Sequence, residues 1–148
     1  MKIFVSICLF TCASIIILAL YIWVNPSEIR HYTADDLVGL TCAELGEKHE
    51  EVIFAYHDAA IDHRKRTGAF PDDLGLPQDD VLPFAILLRT FIQENDLSEF
   101  DLSQSFFHSS SRLHSNFFAE ASHVCASNPS QGAMEAVGRA AKNLNLID

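Results

Sequence analysis

Seven histidines in a chain of 148 residues raise the question of metal or acid–base chemistry. The stretch "HDAAIDH" sets His57, Asp58, Asp62 and His63 along one helix, with Asp58 and Asp62 a turn apart and on one face. Further on, Glu120 and His123 form an E-x-x-H pair of the sort di-iron bundles use. A bundle metal centre needs two such pairs plus two more inward carboxylates, and the chain supplies a single pair. No metal site is therefore expected. "HEEVI" lacks the second histidine of a zinc-protease H-E-x-x-H, and no G-x-S-x-G elbow, phosphate-binding loop or G-x-G-x-x-G occurs. The expectation is a non-enzymatic protein without a cofactor, these acids and histidines lying on solvated helix faces with some of the histidines pH-sensitive.

The cysteines are more informative. Cys8 and Cys12 fall inside an apolar run and read as small hydrophobes. Cys42 and Cys125 are the pair left for the folded part, and they fit one disulfide in an oxidising compartment. The alternative is two buried free thiols in a cytosolic protein. No C-x-x-C is present and neither cysteine has a basic helix-start setting, so the expected role is structural rather than catalytic.

Compartment is argued from the N terminus. Residues 3–24, "IFVSICLFTCASIIILALYIWV", carry no charge and are long enough to cross a bilayer as a helix. Lys2 gives a short positive flank, Tyr21 and Trp23 suit an interfacial belt, and Asn25-Pro26 stops the helix. An uncleaved signal anchor is the favoured reading and a cleaved signal peptide the competing one, since "LALYIWVNPS" offers no clean small-x-small pair. Phe10-Thr11 before Cys12 also lacks the small residues of a lipobox. The expected location is the inner membrane, single-pass, with the C-terminal domain in the periplasm; otherwise the protein is secreted to the periplasm.

The formal net charge is −10. Lys2 is the sole basic residue before Asn25 and no acid precedes it, so residues 25–148 hold 9 basic against 20 acidic residues, a net of −11. Such a surface repels phosphate backbones and excludes nucleic acid as a partner.

The elements expected to carry these residues are helical throughout. "TADDLVG" reads as a capped turn, with Thr33 and Asp36 in capping-box spacing. Thr41 and Glu44 repeat that spacing at the head of a long helix whose apolar stripe is Leu45, His49, Val52, Ile53, Tyr56 and Ala60. "RKRTG" closes it with basic residues and a left-handed cap at Gly68. "AFPDDLGLPQDDVLP" excludes a helix, with Phe70, Leu74 and Leu76 expected to pin the loop to the core. A second helix is predicted from near Asp80, with Pro83 in its first turn, through "FAILLRTFIQEN". A third is predicted over about 102–127, with Ser98 and Asp101 placed to cap and a core stripe of Phe106, Ser110, Leu113, Phe117, Ala121 and Val124. After Asn128-Pro129, Ser130 caps a last helix with Met134, Val137, Ala141 and Leu144 on one face. The division is residues 1–24 as anchor or signal peptide, 25–39 as linker and capped turn, and 40–148 as an all-α periplasmic bundle of about four helices.

Phenylalanines supply the candidate binding surface. Phe106-Phe107 and Phe117-Phe118 are adjacent pairs, and one ring of each must leave the core direction. Phe107 and Phe118, together with Phe84 and Phe91, are the expected partner-binding residues at the core's margin. The alternative is a wide core stripe packed under the Pro-rich loop.

The two cysteine segments carry a family resemblance. "LTCAELGEKHEEVIFAYHDA" resembles the first block of the HdeA family of small periplasmic acid-stress chaperones, and "HVCASNPSQGAMEAVGRA" resembles the second. The resemblance implies an α-helical domain stapled by one disulfide between those blocks, acting as a homodimer or monomer on unfolded clients once acid loosens it. The interval from Cys42 to Cys125 is longer than usual in that family, and "FPDDLGLPQDDVLP" has no counterpart in it. The functional expectation is a periplasmic protein-binding domain, with acid-activated chaperoning as its sharpest form. The alternative is a regulator or inhibitor of immunity-protein or antiholin type that docks one specific partner.

Overall fold

Local capping chemistry starts the first two helices. In the computed structural model, which describes residues 29–72, 77–106 and 111–148, the Asp36 carboxylate accepts from the Thr33 amide at 2.8 Å and from its hydroxyl at 2.7 Å. This opens the short α1, Ala34–Leu37. Glu44 does the same for Thr41, at 2.8 Å from both amide and hydroxyl, while its own amide donates back to the Thr41 hydroxyl. The reciprocal box begins α2, Cys42–Thr67, which ends as expected on Gly68 in the left-handed region at φ 80°. Pro83 stands at the first position of α3, Pro83–Glu94, where its missing N–H costs nothing. Two further helices, α4 (Arg112–Ser127) and α5 (Ala133–Asn143), complete the described chain. Apart from one isolated bridge between Thr41 and Gly132, the described residues contain no β-pairing.

The helices form an all-α bundle. α4 packs most extensively on α5, and α3 touches α1, α2 and α5. The core is built from Leu45 and Val52 of α2, Leu87, Leu88 and Phe91 of α3, Phe117 and Ala121 of α4, and an alanine-rich face of α5 with Val137 at its centre. Small residues on α5 permit that close approach: the edge of the Phe91 ring lies 3.5 Å from the point a Cβ on Gly138 would occupy.

Four local expectations give way to the structure. Gly132, not Ser130, precedes α5, and the Ser130 hydroxyl donates to the Asn128 side-chain carbonyl instead. α4 starts at Arg112 rather than near 102. Side chains capture the backbone of 101–106 instead: the Asp101 carboxylate takes the Ser103 amide and hydroxyl, and Asp79 takes the Ser105 hydroxyl and the Phe106 amide. Such bonds compete with a helix over those residues. Ile53 is 40% exposed, with Ala55 taking a place in the core. Phe70 is 46% exposed under the Arg64 guanidinium, and the loop is pinned by Pro77, Asp79 and Leu82. Leu74, Leu76, Ser110 and the expected anchor at 3–24 lie outside the described residues. Among the described residues, no helix is long and apolar enough to cross a membrane.

Candidate protein-binding site

Cys42 and Cys125 are bonded, tying the first residue of α2 to the last turn of α4 across 83 positions of sequence. Backbone bonds reinforce the junction. The Cys42 and Ala43 amides donate to the Gln131 and Pro129 carbonyls at 2.8 and 2.9 Å, and the Ala133 amide donates to the Leu40 carbonyl at 2.8 Å. With the Thr41 hydroxyl taking the Glu44 amide, the donors that open α2 are used within the fold. The bridge thus holds the start of α2 beside the end of α4.

The aromatic residues divide unequally. Phe91 is 6% exposed and lies 6.2 Å from Phe117, in a line of rings continued by Phe100, His114 and Phe106. Phe84 is 8% exposed. Both belong to the core, because α3 is covered by other helices and its apolar run has little free face. Phe118 is half-buried and meets Phe84 edge-on, ring centres 5.3 Å apart. Phe107 lies outside the described residues.

Between α2 and α4, over the bridge, Phe84 alone of these rings lines a cleft of about 370 Å³. Its lining is mostly apolar, with the buried Phe84 and the bridge as floor; Ser122, Ala126 and Pro129 stand on the α4 side, and Ala43, Gly46, Glu47 and Glu50 on the α2 side. Phe54, one helical turn beyond Glu50 on the same stripe, is 63% exposed and is the most exposed large hydrophobic residue described. Sequence reasoning missed Gly46, Glu50 and Phe54. The available signal was a glycine within an otherwise strong helix pattern, together with a phenylalanine off the core stripe.

Charge and burial set how the fold answers to protons. Hydrogen bonds from the Thr33 amide and hydroxyl hold the Asp36 carboxyl below its ordinary value, and Thr41 does the same for Glu44. The Ser103 hydroxyl and amide lower Asp101. Burial, opposed by Glu50, lowers His49, whose ring stands edge-on to Phe84 at 6.1 Å. His114 is buried, its Nε2 3.0 Å from the Asp101 carbonyl and its Nδ1 3.0 Å from the Ser111 hydroxyl. A carbonyl only accepts, so Nε2 carries the proton in this arrangement.

The histidine and carboxylate pairs considered for metal do not converge. Asp62 pairs with Arg66 at 3.4 Å, and Glu120 accepts from the Asn143 amide group at 2.6 Å. Among the described residues, no three His, Cys, Asp or Glu side chains gather where they could hold a metal ion. Comparison with protein-family models, curated proteins and solved structures found no match.

Proposed function

We propose that the chain is a non-enzymatic, exported protein-binding domain that loosens in acid and then presents its phenylalanine-rich core to unfolded clients. One observation carries the reading: a covalently closed bundle whose first two helix caps and 101–106 turn accept hydrogen bonds on carboxylates. In Asp36, Glu44 and Asp101 the native pKa is lowered, so their stabilisation is present above the ordinary carboxylate range and is lost as pH falls through the native values. His49 acts in the same direction, because its depressed native pKa makes the unfolded chain bind more protons below about pH 6.5. Once the acids are neutral, 10 Lys and Arg with 7 His give +17, and self-repulsion adds to the loosening. The Cys42–Cys125 bridge keeps the opened chain from unravelling fully. The resemblance to the HdeA family around the two cysteines points the same way. An oxidising compartment, reached through residues 3–24 as anchor or signal, belongs to this proposal.

The test is aggregation of an acid-unfolded client at about pH 2–3 and at pH 7, with and without the protein. Protection confined to low pH is expected; no protection at low pH refutes the reading. The α2–α4 cleft, formed in the folded state, favours a second reading: a regulator docking one partner at neutral pH. That reading predicts a stoichiometric complex at pH 7 and no general client protection.

A further inference from the structure

We infer that the cleft between α2 and α4 is a docking site for a partner segment bearing a bulky apolar side chain flanked by lysine or arginine. The inference rests on the protein-binding reading and names the partner's chemistry.

Three observations carry it. The first is Gly46. A glycine inside a helix costs about 0.5–1 kcal/mol relative to alanine, yet a Cβ placed there would meet nothing within 4 Å. No packing inside the chain requires the glycine; its effect is to leave the wall of the cleft open to another chain. The second is the charge of that wall. Glu47 and Glu50 rim an apolar floor, and Lys48 does not offset them, because it reaches over the Tyr32 ring, 5.2 Å from its centre, on the opposite side of α2. Carboxylates along one side of an apolar floor complement a basic, apolar segment and repel an acidic one. The third is Phe54, 63% exposed one helical turn beyond Glu50, which offers a further apolar contact next to the cleft.

The experiment uses the full-length chain at pH 7 and two fluorescein-labelled model helices, one of leucine and lysine, the other with glutamate in place of lysine. Anisotropy should show binding of the lysine helix alone. Gly46→Leu should fill the cleft and weaken binding by at least about tenfold, with an unchanged or higher melting temperature. Glu47→Lys with Glu50→Lys should reverse the preference between the two helices. Equal binding by wild type and Gly46→Leu would overturn the cleft and leave the protein-binding reading standing. Absence of any binding by wild type would also overturn the cleft, while the client assay at low pH judges the broader reading separately. Sedimentation at the same concentration covers the remaining occupant: a dimer abolished by Gly46→Leu would assign the cleft to a second copy and refute the peptide.

Discussion

Replacing both Cys42 and Cys125 with alanine should remove a large part of the domain's stability. The bridge closes a loop spanning 83 positions, and the loop-entropy relation then gives about 4.5 kcal/mol at 25 °C. Both cysteines are 6% exposed, so the small voids left behind add about 1 kcal/mol or less. The native junction itself should survive, because the amides of residues 42 and 43 still reach the Gln131 and Pro129 carbonyls. Domains of this size are stable by about 5–15 kcal/mol, so the variant should fold but sit near the margin. Guanidinium denaturation followed by circular dichroism is the assay. With a slope of about 3–4 kcal/mol per molar, the midpoint should fall by more than about 1 M. The slope should rise, since the unbridged chain expands further when unfolded. A loss below about 1 kcal/mol with an unchanged slope would refute the view that the bridge acts by restraining the unfolded chain.

Other outcomes follow from the same geometry. Gly46→Ala should stabilise by up to about 1 kcal/mol, whereas Gly68→Ala, at φ 80°, should destabilise by about 1 kcal/mol; thermal melting of the two distinguishes an unneeded glycine from a required one. Asp79→Ala should cost about 3 kcal/mol or more, because it strips the Phe106 amide and Ser105 hydroxyl of their acceptor and leaves Arg89, 3.8 Å away, without its carboxylate. Hydrogen exchange at the residue-106 amide should quicken most. His49→Leu should flatten the fall in stability that begins as pH drops below about 6.5, while leaving the steeper carboxylate loss below about pH 4 in place, as chemical denaturation at stepped pH would show.

Features that depend on near neighbours in sequence were legible. The Thr33/Asp36 and Thr41/Glu44 boxes, Pro83 at a helix start and Gly68 at a helix end each turn on residues a few positions apart. The cysteine pairing was legible because the other two thiols lie in an apolar run. The start of α4 was not, because Asp79 captures the Ser105 hydroxyl and Phe106 amide from 26 and 27 positions away. Orientation within "PFAILLRTFI" was hidden too: a nearly continuous apolar run has no face until α1, α2 and α5 cover it, and so Phe84 and Phe91 were expected at the margin. The cleft depends on two helices brought together by the bridge, and only Gly46 and the off-stripe Phe54 hinted at it.

The central claim is that acid opens the stapled bundle and that the opened form binds clients. Near-ultraviolet circular dichroism and client light scattering, followed on one sample from pH 7 down to about pH 2, test it most directly. The predicted result is loss of the tertiary signal below about pH 4, with protection appearing over the same interval. A tertiary signal retained to pH 2, or one lost without any protection, would contradict it.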